Sequence, residues 1–97
     1  MRTIFTENAL QDLDEAIRYL DDLNPRAADL TFEAISEFCN KTLAKHPFIG
    51  HQRPDLPEGL RSFTIRNYVV IYEVLSAEVS ILRIIYGMRD LTLLGFH

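Results

Sequence analysis

Four arginines lie in or beside the segments of this chain whose composition favours β-strands. Residues 59–74 and 79–90 are dense in β-branched and aromatic side chains, which fit a pleated, half-buried surface. An arginine on such a surface is usually an edge charge or half of a salt bridge, so four in one short sheet predict a cationic face with a partner. They are Arg61, Arg66, Arg83 and Arg89.

Cleavage of RNA through attack of the ribose 2′-hydroxyl is one reaction that these cations could serve. It requires a general base, a general acid and positive charge near the developing phosphorane. Arginine is nearly always protonated and is a poor base, no lysine follows Lys45, and no histidine lies within the predicted strands. The cationic half of such a site is therefore better supported than the half that moves protons. Candidates for the two halves are Arg61, Arg83, Arg89, Tyr86, His51 and His97.

Each arginine also has a purely structural interpretation, which we favour for each one taken singly. Arg83 shares its predicted strand face with the apolar Ile81 and Ile85, so pairing with an acid or reaching out to solvent is expected. Arg89 and Asp90 are adjacent, and a local ion pair could close the last strand.

Other chemistry finds little support in the sequence. The three histidines have no metal-ligand spacing, no cysteine pair exists, and no glycine-rich phosphate loop is present, so neither a metal nor a cofactor is expected. The single Cys39 lies among apolar residues and is predicted to be a buried structural thiol. Asp12 and Glu15 are predicted to lie on a solvated outer helix face.

Composition is that of an ordinary globular protein with one domain, residues 1–97, and a single modest core. No apolar run is long enough to cross a membrane, and a lone cysteine without a secretory signal predicts the cytoplasm.

The charge is unevenly distributed along the chain. Residues 1–40 hold three arginines and nine acids, a net −6, whereas residues 41–97 hold seven bases and five acids, a net +2. The chain is thus a poor general nucleic-acid binder, although a local contact by the second half stays open.

The first half predicts a strand and two helices. Residues 2–5 alternate as a short strand, and Thr6 can cap a helix that ends near Asn24 and Pro25. The same pair starts a second helix, which runs to about Lys45, before His46-Pro47 ends it. Because the link is so short, the helices are expected to form an antiparallel hairpin. The apolar positions expected on the second helix are Ala28, Phe32, Ile35, Phe38, Cys39 and Leu43.

The second half predicts a loop followed by a three-stranded antiparallel meander. Residues 47–59 contain three prolines and two glycines and form the loop. The strands are residues 60–66, 68–74 and 79–86, with a turn at Asn67, and the middle one is apolar on both faces, which favours a central position. The fold class is therefore α+β, with element order β-α-α-β-β-β and the hairpin packed on one face of the sheet. The pairing of the first strand is left open.

In order and motifs, nearly the whole chain resembles toxins of the RelE/ParE superfamily from bacterial toxin–antitoxin systems. No fragment is specific alone, but their joint order and spacing are. The fragments are Ala9…Asp12-Leu13…Ile17…Tyr19-Leu20, Pro25-Arg-Ala-Ala28, Leu43…His46-Pro47…Gly50…Arg53, Gly59-Leu-Arg61…Tyr68…Ile71-Tyr72 and Ile81-Leu-Arg-Ile84…Gly87-Met-Arg-Asp90.

Within the superfamily the chain is more similar to the ParE-like branch, whose members poison DNA gyrase, than to RelE-like members, which cleave mRNA in the ribosome. RelE-like toxins tend to have lysines where this chain has Ser62 and Thr64, and an arginine where it has Val69. The segment after Arg89 has no tyrosine. The terminal His97 keeps the RelE-like alternative open, because some ribosome-dependent relatives use a terminal histidine.

The resemblance implies a gyrase-inhibiting toxin of a type II system, without cofactor, held inactive by a cognate ParD-like antitoxin in a hetero-oligomer that binds operator DNA. Growth arrest and plasmid stabilisation are the implied cellular roles. The antitoxin is expected over the helical hairpin and the sheet groove, with acidic residues meeting Arg61, Arg83 or Arg89. A non-toxic, antitoxin-binding corepressor is the remaining alternative. Candidates for contact with target or antitoxin are Arg61, Arg66, Arg83, Tyr86, Arg89 and Asp90.

Overall fold

The computed structural model describes residues 1–87 and 94–95. Its strands are β1 (Arg2–Phe5), β2 (Leu60–Ile65), β3 (Tyr68–Val74) and β4 (Glu78–Tyr86). Its helices are α1 (Glu7–Leu23), α2 (Pro25–Glu37) and α3 (Leu43–Lys45), with a π-helical segment (Phe38–Thr42) between α2 and α3. The predicted β-α-α-β-β-β fold is confirmed. Within the described residues, no helix is long and apolar enough to cross a membrane.

The two helical arms begin where their capping residues predict. The Thr6 hydroxyl accepts a hydrogen bond from the Ala9 N–H at 3.1 Å, and the Asn24 side chain accepts one from the Ala27 N–H at 3.2 Å. Each cap satisfies a donor that has no partner inside its helix. Because Asn24 alone separates α1 from α2, the second arm must fold back on the first.

The buried stripe of the second arm differs from the predicted one at a single position. Ala28, Ile35 and Leu43 are buried as expected, but Phe32 is 48% exposed and Thr31 takes its place inside. At about 100° per residue, Thr31 and Phe32 lie on opposite sides of the line through Ala28 and Ile35, so helical spacing admits either, and the rotation of α2 against the sheet turns Thr31 inward. The prediction for Phe32 was therefore wrong.

The four strands form one sheet in the order β1-β4-β3-β2. β2 pairs with β3 and β3 with β4 in antiparallel fashion, and β3 is interior, as its apolar composition predicts. The pairing that the sequence left open is parallel: β1 lies beside β4, with Arg2 opposite Glu78 and Phe5 opposite Ile81. The first and last described strands are thus neighbours.

The two faces of the sheet bury separate apolar clusters. The face toward the helices carries the main core, in which Tyr68, Val70 and Tyr72 of β3 pack against Ile35 and Leu43. The opposite face, here called the outer face, carries a smaller cluster that Leu82 and Leu94 also contact. Strict alternation along β3 divides its residues between the two clusters. The buried members of the outer face are Leu56, Leu60, Val69, Ile71 and Ile85.

A β-bulge in β4 changes its side-chain alternation. Ile71 lies opposite Arg83, but the next residue of β3, Tyr72, lies opposite Ile81, so Leu82 is the extra residue. An inserted residue shifts the side chains that follow it and increases the local twist. Arg83 therefore does not share one simple face with Ile81 and Ile85: Ile81 belongs to the main core and Ile85 to the outer face.

Cys39 is fully buried in the main core, as predicted. Burial raises the pKa of its thiol from 9.0 to about 12, since an ionised thiolate loses its hydration there. The Thr3 hydroxyl donates to the Cys39 carbonyl oxygen at 2.6 Å and ties β1 to the π-helical segment.

The raised thiol pKa predicts alkaline destabilisation. Above pH 9 the unfolded chain ionises Cys39 while the folded chain does not, so stability is complete below that pH and falls as the pH rises towards 12. Between pH 8 and pH 10 the thiol should lower the free energy of unfolding by about 1 kcal/mol, measured by urea denaturation. Burial also raises the pKa of Tyr68 and Tyr72 and adds a loss of the same sign at higher pH. In Cys39→Ala the loss between pH 8 and pH 10 should shrink; an unchanged loss would contradict the assignment.

Candidate functional site

The carboxylate of Asp12 on α1 is the centre of a small polar cluster against β4. Its oxygens accept hydrogen bonds from Arg83 Nε at 2.7 Å, Arg83 Nη2 at 3.0 Å and the Ile84 N–H at 2.9 Å. Only 12% of the Asp12 side chain and 26% of the Arg83 side chain are exposed. The hydrogen bonds that Arg83 donates to Asp12 raise the pKa of Arg83, against the desolvation that lowers it. The pairing of Arg83 with an acid is thus observed.

This cluster lies where β4 loses its neighbour. β1 ends at Phe5, opposite Ile81, and beyond that point none of the described strands lies beside the edge of β4. Thr6 takes over first: its N–H donates to the Ile81 carbonyl at 3.0 Å and its hydroxyl to the Leu82 carbonyl at 3.1 Å. Asp12 then accepts the next edge N–H, that of Ile84. α1 therefore continues the edge pairing with side chains in place of a strand.

The expectation that Asp12 lies on the solvated outer face of α1 is wrong for this reason. α1 crosses the edge of β4, and Asp12 lies on the side of the helix that faces this edge. Arg83 and the Ile84 N–H of β4 supply its polar partners there. Glu15 is exposed as predicted. No local signal in the sequence identifies Asp12, because its partners are 71 and 72 residues away.

An open groove of about 710 Å³ lies next to the Asp12–Arg83 pair, between α1 and the end of β4. Its walls are mostly apolar and aromatic, and Tyr19 and Leu23 on α1 and Tyr86 on β4 are largely exposed. The Tyr68 and Tyr86 rings meet edge to face with 5.2 Å between centroids. The groove is lined by Asp12, Glu15, Ala16, Tyr19, Leu20, Leu23, Tyr68, Arg83, Ile84, Ile85 and Tyr86.

Arg61 of β2 lies two strands from Arg83 and contacts a different part of the chain. Its Nη1 donates to the carbonyl oxygens of Gly50 at 2.8 Å and Phe48 at 3.3 Å, and its guanidinium carbon lies 5.0 Å from the centroid of the Phe48 ring. The structure therefore does not bring Arg61 and Arg83 together in one cationic site.

The remaining candidate residues are dispersed. Arg66 follows β2 in the turn with Asn67, where both have positive φ, and its Nε donates to the Thr31 hydroxyl at 3.0 Å. Tyr86 lines the groove. His51 pairs its backbone with Ser62 beside the edge of β2. Three further candidates, Arg89, Asp90 and His97, lie outside the described residues. Within the described part, no group of three or more His, Cys, Asp or Glu side chains is arranged to hold a metal ion.

The centre of the outer face of the sheet is apolar, with Leu56 and Leu94 packed on Val69, Ile71 and Ile85. The register places two arginines on this face: Arg2 in the edge strand β1, opposite Glu78, and Arg83, opposite Ile71 and already paired with Asp12. A site that stabilises a phosphorane needs fixed positive charge at the reacting atoms. In the described residues, the centre of this face provides an apolar surface instead.

Comparison with known proteins identifies the family to which this chain belongs. A family model described as the ParE toxin of the type II toxin–antitoxin system parDE matches residues 3–91. The chain belongs to the ParE toxin family. It is 32% identical over 91 residues to Toxin ParE3 of Caulobacter vibrioides, which covers 93% of this chain and 90% of that protein. The chain is therefore a ParE-type toxin of a type II system.

Two solved structures extend the comparison for this ParE-family toxin. One is described as the chromosomal ParDE TA system from P. aeruginosa. It is 27% identical to this chain, with a TM-score of 0.76, and the match covers 91% of this chain and 97% of that chain. The other is described as the toxin–antitoxin complex RelBE2 from Mycobacterium tuberculosis. It is 26% identical to this chain, with a TM-score of 0.63, and the match covers 88% of this chain and 95% of that chain. An antitoxin partner is thus supported.

Proposed function

We propose that this ParE-family toxin inhibits DNA gyrase and that a ParD-like antitoxin neutralises it by occupying the groove between α1 and β4. The observation that carries the first part is the outer face of the sheet. A RelE-like nuclease would need available cations at the centre of an open sheet face. The centre of this face instead buries Val69, Ile71 and Ile85, and Arg83, which lies opposite Ile71, is paired with Asp12.

The engagement of the described arginines supports the same conclusion. Arg83 is paired with Asp12, and Arg61 donates to two backbone carbonyls. A guanidinium that is already paired within the chain is less available to a phosphate, because breaking a partly buried pair is costly. The toxin is therefore proposed to act by binding its target and not by cleaving RNA.

DNA supercoiling by purified gyrase, with and without the toxin, tests this proposal. We expect supercoiling to be inhibited and linear DNA to accumulate as trapped cleavage complexes are released. Full supercoiling in the presence of folded toxin would overturn the gyrase assignment. Toxin unfolded by heat serves as the matched control for nonspecific inhibition.

RNA cleavage on the ribosome is the second candidate, and the similarity to the RelBE2 complex is the observation that favours it. If the toxin leaves gyrase active but cuts mRNA on translating ribosomes, this candidate replaces the first. His97 and Arg89 are then the first residues to change. If it does neither, the corepressor role is the remaining one.

The groove is proposed as the antitoxin site because it combines depth with exposed apolar side chains. Tyr19, Leu23 and Tyr86 are largely exposed around a volume of about 710 Å³. A segment that is flexible when free can gain affinity by covering such a groove, at the cost of becoming ordered. Since Arg83 is paired internally with Asp12, we expect apolar contacts with α1 to contribute most of the affinity.

Truncating the groove should weaken antitoxin binding. We expect Tyr19→Ala combined with Leu23→Ala to raise the Kd for the cognate ParD-like antitoxin about 10- to 100-fold, measured by isothermal titration calorimetry, because exposed aromatic and apolar anchors carry much of an interface's affinity. Both side chains are largely exposed, so stability should change little.

Leu30→Ala provides the matched control for this experiment. Leu30 is an exposed apolar residue of α2 that does not line the groove. Its replacement should leave the Kd unchanged. Equal weakening by the groove variant and by Leu30→Ala, or no weakening by either, would place the antitoxin elsewhere.

A further inference from the structure

The segment between α3 and β2 holds an apolar tip, Pro47–Ile49, in a fixed conformation. Arg61 donates to the carbonyl oxygens on both sides of Ile49, those of Phe48 and Gly50, and its guanidinium lies over the Phe48 ring at 5.0 Å. One side chain of β2 thus fixes both the backbone of the tip and the orientation of its aromatic ring.

Four more hydrogen bonds fix the base of the tip. The Gly50 N–H donates to the buried Tyr72 hydroxyl at 2.8 Å, and the Ile49 N–H donates to the His46 carbonyl at 3.1 Å. His51 and Ser62 exchange two backbone hydrogen bonds, each of 2.9 Å. A loop fixed in this way loses little further conformational freedom on binding, which is the main cost of using a loop as a contact surface.

The tip nevertheless exposes large apolar side chains. Phe48 is 64% exposed and Ile49 is 39% exposed. Folding has therefore not used these side chains for the core, although the chain uses a guanidinium and a buried hydroxyl to hold them. Aromatic side chains displayed on a fixed backbone are typical anchors of protein interfaces.

The sequence around the tip is basic. From residue 38 to residue 54 the chain has three basic side chains, Lys41, Lys45 and Arg53, and no carboxylate. Arg53 is paired with Asp55 at 2.8 Å, so the positive charge beside the tip comes from the lysines and from Arg61, whose guanidinium lies over the Phe48 ring. The groove differs from the tip because two carboxylates, those of Asp12 and Glu15, line it.

We propose that the tip is the surface by which this toxin docks to its protein target, with Phe48 entering an apolar pocket that Asp and Glu side chains surround. This inference rests on the proposed function, in which the target is gyrase, and adds the contact to it. A protein pocket fits better than a nucleic acid, because Ile49 beside Phe48 cannot stack on bases and the chain as a whole carries a net charge of −4.

The proposal separates the two partners in space. The antitoxin is assigned to the groove beside α1, and the target to the tip beyond α3. A variant at the tip should therefore lose its effect on the target while it keeps its antitoxin. This separation distinguishes a contact role from a general loss of folding.

Phe48→Ala in the toxin tests the proposal, with Phe32→Ala as control. Phe32 is a phenylalanine of similar exposure, 48%, on α2 outside the groove. We expect Phe48→Ala to raise the toxin concentration that half-inhibits gyrase supercoiling at least tenfold, with antitoxin affinity and thermal midpoint unchanged. Phe32→Ala should inhibit as the unchanged toxin does. A second variant, Lys45→Glu, should also weaken inhibition, since it places a carboxylate beside the tip.

Two further readouts separate this proposal from the proposed function. If the unchanged toxin inhibits gyrase and Phe48→Ala inhibits equally well, the docking proposal is overturned and the gyrase assignment stands. If the unchanged toxin does not inhibit gyrase, growth arrest after induced expression replaces the enzyme assay. Loss of arrest in Phe48→Ala alone then supports docking to another target, whereas equal arrest, or no arrest by the unchanged toxin, overturns it. Phe48-dependent binding of a fluorescent single-stranded oligonucleotide would overturn the assignment to a protein pocket.

Discussion

Replacing Asp12 by asparagine should lower the free energy of unfolding by about 3 kcal/mol. The amide keeps the size of the side chain but removes the charge that Arg83 faces, and its NH₂ group cannot accept the bonds that both carboxylate oxygens accept now. Arg83 would be left partly buried without its counter-charge, and the Ile84 N–H could lose its acceptor. For a chain of this length the thermal midpoint should fall by about 15 °C, measured by circular dichroism.

Asp14→Asn is the matched control for Asp12→Asn. Asp14 lies on the same helix and pairs with Arg18 at 3.0 Å, but both side chains are mostly exposed. Such surface pairs contribute little, so the control should cost less than about 0.5 kcal/mol. Changing Arg83 to methionine in the Asp12→Asn background should recover part of the loss, because the uncompensated charge is then removed. If Asp12→Asn and Asp14→Asn lower the free energy of unfolding equally, the Asp12–Arg83 cluster does not stabilise the fold.

Gly50→Ala should cost about 2–3 kcal/mol, the upper range for overpacking in a core. A Cβ at this position would lie 2.5 Å from the Tyr72 hydroxyl oxygen, 2.8 Å from Tyr72 Cε1 and 2.9 Å from the Ser62 carbonyl oxygen. Tyr72 is fully buried and the Ser62 carbonyl is held by its bond to His51, so neither can move away freely. Urea denaturation measures the loss directly.

Gly59→Ala is the control for the glycine replacement. Gly59 has a φ of +93°, and nothing lies within 4 Å of a Cβ built on it. It should therefore cost only backbone strain, about 1 kcal/mol. Tyr72→Phe in the Gly50→Ala background should recover part of the steric loss, because it removes the atom that the Cβ meets first. Equal costs for Gly50→Ala and Gly59→Ala would show that the packing around Tyr72 gives way.

Local patterns predicted the elements of this fold because the responsible residues act within a few positions of themselves. Thr6 and Asn24 cap the helices that they precede, and the apolar run of Tyr68–Val74 marks the interior strand. The exposed Phe32 was missed, since choosing between Thr31 and Phe32 depends on the rotation of α2 against the sheet, which hydrophobicity alone does not determine.

Residues whose role depends on a distant partner could not be predicted in the same way. Asp12 looks like any surface carboxylate until the edge of β4, beyond its pairing with β1, is known to lie beside it. Arg83 was expected to pair with an acid, and it does, but the sequence did not indicate which acid. Likewise the fit of Gly50 against Tyr72 depends on a contact across 22 residues that no local motif marks.

The parallel pairing of β1 with β4 determines when the sheet of this toxin can finish folding during synthesis. Thr3 and its neighbours in β1 leave the ribosome before the rest of the sheet, because their partners, including Val79, are made about 76 positions later. Chains emerge at roughly 5–20 residues per second, and contacts between distant positions form last. A nascent or prematurely terminated chain that ends before β4 therefore has a helical hairpin without the strand that carries Arg83. The cell producing this toxin is thus exposed to the folded protein only after the chain has been made through β4.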